Sequence, residues 1–352
     1  MDSTKNQATP LVTKETKNRI RVDYEGKLSF KERMMEKLKA SNTWIKIIVA
    51  IFRFVLMLGV SFVIIFPFIA KIAGSFMTKE DVIDSTISLI PKHPTLEIYK
   101  AIIVENHYFE ALANTFILAF TCALIQMIVA CLVGYGLAKF KFKGNKLIMA
   151  LVVLTMVIPH GALEMSMDRH FIYFDLGTVL SWNYPGLIEL IKGAPLQMKN
   201  TFTPLFILSL GGLAFKNGLY IYLMRQFFKG VPDELEESAY VDGSGFFRTF
   251  FQIILPLAVP MMITVFLFSF SWQWTDEFYT GLIFDTNIDK VYLMPDVYLV
   301  PQSLRFDYAG TALYENVINH TGGLMIIAPL IILYLFCQRY LVQGIERSGL
   351  VG

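Results

Sequence analysis

Little in this sequence could make or break a covalent bond. His93, His107, His160, His170 and His320 have no metal-ligand spacing such as His-Glu-x-x-His, and they are expected as interfacial or loop residues. No Gly-x-Ser-x-Gly elbow is present. No Gly-x-x-x-x-Gly-Lys-Ser/Thr loop appears either; the stretch Gly211 to Gly218 encloses Phe215-Lys216 instead. ATP is therefore not bound here in the usual way, and any energy from it must arrive from another chain. The chemistry the sequence does offer is recognition. Between Val231 and Pro256, Asp233, Glu234, Glu236 and Glu237 sit where a helix would begin, behind Pro232, a residue suited to a first helical turn. Asp242 and Gly243 close that turn, with Gly243 free to take positive φ. After Gly245, Phe246, Phe247, Phe250, Phe251 and Ile254 form an apolar face on a second amphipathic helix, and Pro256 introduces the next apolar run. The result is a short helix–turn–helix with an acidic, partly apolar surface that a partner can grip; an ordinary solvated loop is the bland alternative.

The elements that hold this hairpin are membrane spans. The chain has 352 residues, of which 55% are hydrophobic and 17% charged. Its mean hydropathy is +0.51. A soluble domain is nearer half apolar and a quarter charged. The excess lies in runs long enough to cross a bilayer, which takes roughly 20 residues each. The spacing predicts an all-α, polytopic membrane protein with six transmembrane helices: about Phe54 to Ala70 and on toward Phe76, Leu112 to Ala138, Leu147 to Leu163, Pro204 to Met224, Ile254 to Trp272, and Leu324 to Leu341. The corresponding organisation is an N-terminal segment 1–43, a first span within 44–77, a core 110–343 containing the loop 229–256, and a tail 344–352. Arg and Lys collect in alternate segments: Lys27 to Lys46, then Lys139, Lys141, Lys143 and Lys146, then Arg225, Lys229 and Arg248, and finally Arg339 and Arg347. The positive-inside rule then puts both termini in the cytoplasm. Within 24–43, Phe30, Met34 and Leu38 fall four apart among Lys and Glu, as on an interfacial helix, with a solvated tail as the equal alternative. The first forty-odd residues lack the basic start and apolar stretch of a secretory signal. Loops 164–203 and 275–321 are long and external.

Other features narrow the class. A net charge of +2 gives no reason to expect nucleic acid as a partner. Cys122, Cys131 and Cys337 all lie in apolar runs and are expected as inert thiols rather than disulfides. The middles of the spans carry no pair of ionisable residues, which disfavours a proton-coupled carrier or an intramembrane protease.

The hairpin also resembles the signature of the permease subunits of binding-protein-dependent ABC importers. That pattern is Glu-Ala-Ala, three residues, Gly, nine residues, then Ile-x-Leu-Pro. Here Glu237-Ser238-Ala239, Gly243, Ile253, Leu255 and Pro256 stand in register, with Ser238 the one departure, a small-for-small change. The resemblance covers about residues 110–352. Asn114-Thr115, Gly134-Tyr135-Gly136-Leu137-Ala138-Lys139-Phe140, Met156-Val157-Ile158-Pro159, Arg225-Gln226-Phe227-Phe228 and Trp274-Thr275-Asp276-Glu277-Phe278 are similar to the sugar-importing branch. That branch usually has Asn-Asp after the Trp; Thr275-Asp276 keeps only the acid. Gly344 to Gly352 is similar to the tail of the second maltose-type permease, with Val351 where Lys is usual.

The resemblance implies a type I ABC importer permease fold in a bacterial cell membrane, and a transport subunit rather than an enzyme. It implies separate nucleotide-binding ATPase subunits that hold ATP and Mg, so that this chain needs no cofactor of its own. It also implies a second permease in a heterodimer and an extracytoplasmic solute-binding protein. Asp233, Glu236, Glu237, Ser238, Ala239, Asp242, Gly243 and Pro256 would then form the coupling element, seated in a cleft of the ATPase. Asn114, Thr115, Asn217, Tyr220, Tyr222, Trp272 and Trp274 are candidates for the solute path, since aromatic faces stack on sugars and amides bond hydroxyls. Trp and Tyr also belong at membrane interfaces, so a purely structural role stays open for each. A secondary carrier or channel independent of an ATPase is the competing function, and a membrane receptor or scaffold the third.

Overall fold

The computed structural model describes residues 12–15, 21–24, 41–175, 187–284, 290–305 and 310–349. Contacts divide the chain into two units, residues 1–69 and 70–352. In the first, strands β1 (Val12–Glu15) and β2 (Arg21–Tyr24) pair antiparallel, with Val12 opposite Tyr24. This small hairpin departs from the all-α expectation. The amphipathic segment built on Phe30, Met34 and Leu38 lies outside the described residues. Helix α1 (Ser41–Gly74) begins in this unit and is apolar on every side; each side chain from Trp44 to Ile69 is exposed. A helix of that kind is built for a non-aqueous surrounding.

In the second unit two short helices, α2 (Lys79–Ile83) and α3 (Glu97–Glu105), precede the central helix α4 (Tyr108–Lys139). Helix α5 (Asn145–Val157) starts after Gly144, whose φ of 99° makes the tight turn from α4. There follow α6 (Glu164–Ile172), α7 (Leu187–Lys192), α8 (Thr203–Leu210), α9 (Asn217–Gly230) and α10 (Glu234–Val241). The long helix α11 (Phe246–Trp274), the short α12 (Phe278–Ile283) and the last helix α13 (Thr311–Gly349) complete the chain. Helices α8, α9 and α11 pack on α4, α5 packs on α9, and α13 packs on α11. Ala130, Cys131, Tyr135, Tyr220, Met224, Phe228, Ile254 and Ala258 form the apolar seam between α4, α9 and α11. Gly134 lets α4 and α9 meet: a Cβ there would lie 2.7 Å from Met224 Cβ and 2.9 Å from the Arg225 backbone nitrogen.

Among the described residues four helices are long and apolar enough to cross a membrane: Trp44–Gly74, Tyr108–Lys139, Phe246–Trp274 and Thr311–Leu341. They match the first, second, fifth and sixth expected spans, although the last helix starts 13 residues earlier than Leu324, inside what was expected to be loop. The third and fourth differ. Helix α5 ends at Val157, not Leu163, because Pro159 holds Ile158 in an extended conformation. Beyond it the chain turns by 96° into the 3₁₀ turn His160–Leu163 and α6. The fourth span is interrupted between α8 and α9, where Gly212 has φ 72° and Lys216 has φ 63°. The expected second amphipathic helix is not separate either. Phe246–Thr249 runs through a π turn at Phe250–Ile254 straight into the fifth span, with Leu255 N donating to Phe250 O. Pro256 therefore sits inside α11, where the wider π turn accommodates its missing N–H.

Candidate functional site

The acidic hairpin forms as its residues dictate. Val231 is extended ahead of Pro232, and α10 then runs from Glu234 to Val241. Its end is a glycine-closed turn: Gly243 has φ 79°, Gly243 N donates to Tyr240 O at 3.0 Å, and Ser244 N donates to Ala239 O at 2.9 Å. Those two bonds satisfy carbonyls that the helix would otherwise leave open. The Ser238 hydroxyl returns to Glu234 O at 2.7 Å, so the residue that departs from the family pattern spends its polar group on its own helix.

Lys139, the last residue of α4, fixes the base of the hairpin. Its side chain is only 7% exposed. Nζ donates to Val231 O at 2.7 Å and to Asp233 Oδ1 at 2.5 Å, and lies 3.8 Å from Glu236 Oε1. The Lys139 hydrogen bond and charge hold the Asp233 carboxyl below the usual carboxylate range, helped by Lys141. Asp233 and Glu236 thus anchor the hairpin inward, while Ala239 is buried beneath it. Glu237, Ser238, Asp242 and Gly243 stay exposed, with Val241 87% exposed and Tyr240 and Leu235 partly so. The tip therefore presents an apolar knob ringed by carboxylates. Lys139 ends the second span and was not singled out as a site residue; no acid lies between Glu110 and Glu164 in sequence, so its place at the end of an apolar run gave no signal of the clamp.

The residues considered for a solute path are scattered. Thr115 is buried, and its hydroxyl accepts Met294 N at 2.8 Å; Asn114 donates to Tyr292 O at 3.1 Å. Both fasten the segment 290–297 onto the start of α4. Trp274 is 1% exposed and donates to Ile326 O at 3.0 Å, bracing α11 against α13. Tyr220 is buried in the apolar seam with no partner for its hydroxyl, and Tyr222 is half-buried. Trp272 is half-exposed and packs with Phe215, while Lys216 Nζ lies over both rings.

Asn217 is fully buried but borders a cavity of about 690 Å³ where the two broken spans meet, along with Thr155, Pro159, His160, Lys216 and Tyr279. Its Nδ2 donates to Ser209 O at 3.2 Å, and its Oδ1 has no partner. The Tyr279 hydroxyl and His160 Nδ1 pair across this cavity at 2.8 Å. Sequence reasoning also passed over the buried polar chain beside it: Ser269 Oγ donates to Gln126 Oε1 at 2.6 Å, and Gln126 Nε2 donates to Ser209 Oγ at 3.1 Å. This bond set ties α11, α4 and α8 together at one level. No group of histidine, cysteine, aspartate and glutamate among the described residues could hold a metal ion.

The sequence model of the binding-protein-dependent transport system inner membrane component matches residues 126–347. The chain belongs to that family. Relatives of this permease include a probable ABC transporter permease of Pyrococcus horikoshii, 28% identical over 82% of this chain and 92% of that one. The galactooligosaccharides transport system permease GanQ of Bacillus subtilis is 26% identical over 86% and 95%. The arabinooligosaccharides transport system permease AraQ of Halalkalibacterium halodurans is 25% identical over 83% and 93%. In structure the permease is similar to a chain of a bacterial ABC transporter involved in import of the acidic polysaccharide alginate, with a TM-score of 0.62 and 20% identity over 90% of this chain and 99% of that one. The fold is thus that of an ABC importer permease.

Proposed function

We propose that this permease forms part of the translocation path for a carbohydrate, and that separate ATPase subunits drive it by gripping the 233–243 hairpin. The observation that carries the coupling role is the hairpin itself: rigidly based on Lys139, yet exposing Glu237, Asp242 and Val241 to whatever lies beyond it. A lever needs both properties. In this reading ATP and Mg are bound by the partner, whose closure pulls the hairpin. Because Lys139 joins hairpin to α4, the pull is passed to the central helix. Nucleotide then biases the permease between conformations, since each binds the ATPase states differently. A second, different permease completes the pore, and an extracytoplasmic binding protein delivers the solute. Both termini lie in the cytoplasm, as the clustering of Lys and Arg at the hairpin end supports. The carbohydrate assignment rests on the relatives named for galacto- and arabinooligosaccharides and on the aromatic and amide groups around the cavity.

The test is uptake by cells carrying Glu237→Lys or Gly243→Pro. Uptake is lost while the protein still inserts and while its ATPase no longer responds to the binding protein. Uptake at the parental rate would remove the coupling role. Transport by the purified permease alone in liposomes, driven only by a solute gradient, would instead favour the secondary carrier.

A further inference from the structure

At the end of the second unit that carries the hairpin, five cationic side chains converge. Lys141, Lys143, Lys146, Arg225 and Lys229 line one open bowl of about 640 Å³, and no carboxylate lines it. Asp233 feels the charge of Lys141 but is hydrogen-bonded to Lys139. None of the five makes a salt bridge among the described residues. Like charges brought together with so little counter-charge raise each other's energy, and a bound anion would offset that cost.

The bowl is framed rather than floppy. Asn145 Nδ2 donates to Leu137 O at 3.2 Å and to Phe140 O at 3.0 Å, and Arg225 Nε donates to Leu137 O at 3.3 Å, so the α4–α5 turn is tied to both helices. Its wall continues directly into an apolar surface. Phe142, Leu147, Ile148 and Leu151 are exposed, and α5 has no buried residue. Charge at the rim and unburied hydrocarbon below it is the complement of an amphiphile: a phosphate headgroup in the bowl, acyl chains along α5. A soluble anion would use the first surface and leave the second unexplained, and a folded acidic protein would leave the apolar wall inside the bilayer level. We propose that this bowl is a binding site for the headgroup of an anionic phospholipid, seated beside the base of the hairpin.

The experiment uses the full-length permease with any subunits that copurify, in neutral detergent, titrated with phosphatidylglycerol or phosphatidylcholine and read by native mass spectrometry as lipids retained. Each Lys or Arg at a membrane surface weights an anionic lipid by about fivefold. The parent is expected to prefer phosphatidylglycerol, and Lys143→Gln/Lys146→Gln/Lys229→Gln to lose at least tenfold of that preference. All three positions are exposed, so the fold is undisturbed. A control with equally many exposed cations removed, Lys46→Gln/Arg248→Gln/Arg339→Gln, keeps it. Equal loss in both triples would show diffuse surface charge and overturn the site. An unchanged preference in the bowl triple would overturn it outright. Displacement of the lipid by excess inorganic phosphate would assign the bowl to a free anion and overturn the lipid.

Discussion

Asp276→Asn should stabilise this permease at neutral pH and flatten its dependence on pH. Asp276 follows α11 and is 8% exposed. Its Oδ1 accepts Tyr279 N at 3.1 Å, its Oδ2 accepts Gln273 Nε2 at 3.2 Å, and the Thr280 hydroxyl bonds its backbone carbonyl. Burial pushes the carboxyl up from 3.8 to about 6, outweighing the bonds from Tyr279 and Gln273 that favour the ionised form. The folded protein thus holds this proton to higher pH than the unfolded chain does. Its contribution is fully favourable below about 4 and is lost as pH rises through about 6. Above that, the buried charge costs about 3 kcal/mol, at 1.36 kcal/mol for each tenfold. Asparagine carries no charge, its carbonyl can still accept Tyr279 N, and the Gln273 amide can turn to receive its N–H₂. The variant should recover on the order of 1–3 kcal/mol near pH 7, a rise of several degrees in melting temperature. It should differ little from the parent near pH 4. Thermal unfolding in detergent across pH 4 to 8 measures both curves. Parallel curves, or a variant no more stable than the parent at neutral pH, would refute the idea that Asp276 is a buried charge held at a cost.

Three further outcomes follow from the packing. Gly134→Ala forces a methyl to within 2.7 Å of Met224 Cβ, so α4 and α9 must separate at a cost of about 1–3 kcal/mol; an unchanged melting temperature would contradict the close approach. Gly243→Ala places a side chain at φ 79° and should cost about 1 kcal/mol locally, whereas Gly243→Asn, which tolerates that region better, should retain more uptake. Hydrogen exchange over 234–244 checks the order of the two. Thr115→Val leaves Met294 N without its acceptor, a loss of about 1–3 kcal/mol, and should raise proteolytic nicking in 290–305 before any other segment.

The sequence shows most about what is local and periodic. The acidic run behind Pro232 and the glycine at 243 specify a short capped helix by themselves, and α10 forms within a residue of that reading. The apolar runs of α4 and α11 specify long helices, and their ends lie within a few residues of the expected ones, apart from the π turn that absorbs Phe250–Ile254 into the span. Hydropathy averages side chains and is blind to the backbone, which is why spans three and four read as continuous. Pro159 and the Gly211-Gly212 pair were visible breakers, yet both sit in apolar surroundings that mask them. The partners of Trp274, Thr115 and Lys139 are 52, 179 and 92 residues away along the chain, so no spacing rule could find them. Asp276 was hidden for a different reason: its partners Gln273 and Tyr279 are only three residues away, but as sequence it is one acid among several in a loop expected to be external.

The interruption at Gly211–Lys216 shows how a span can be broken at depth. Helix α8 has eight residues and so extends only about 12 Å, less than half of a hydrocarbon slab about 30 Å thick. Backbone groups left open at such a break would find nothing to bond in lipid tails. Here the chain supplies its own partners: Gly211 N donates to Ile207 O, Leu213 N and Ala214 N both donate to Leu208 O, and Asn217 Nδ2 donates to Ser209 O. Two glycines and a left-handed lysine thus make a non-helical corner that is held by protein rather than by solvent.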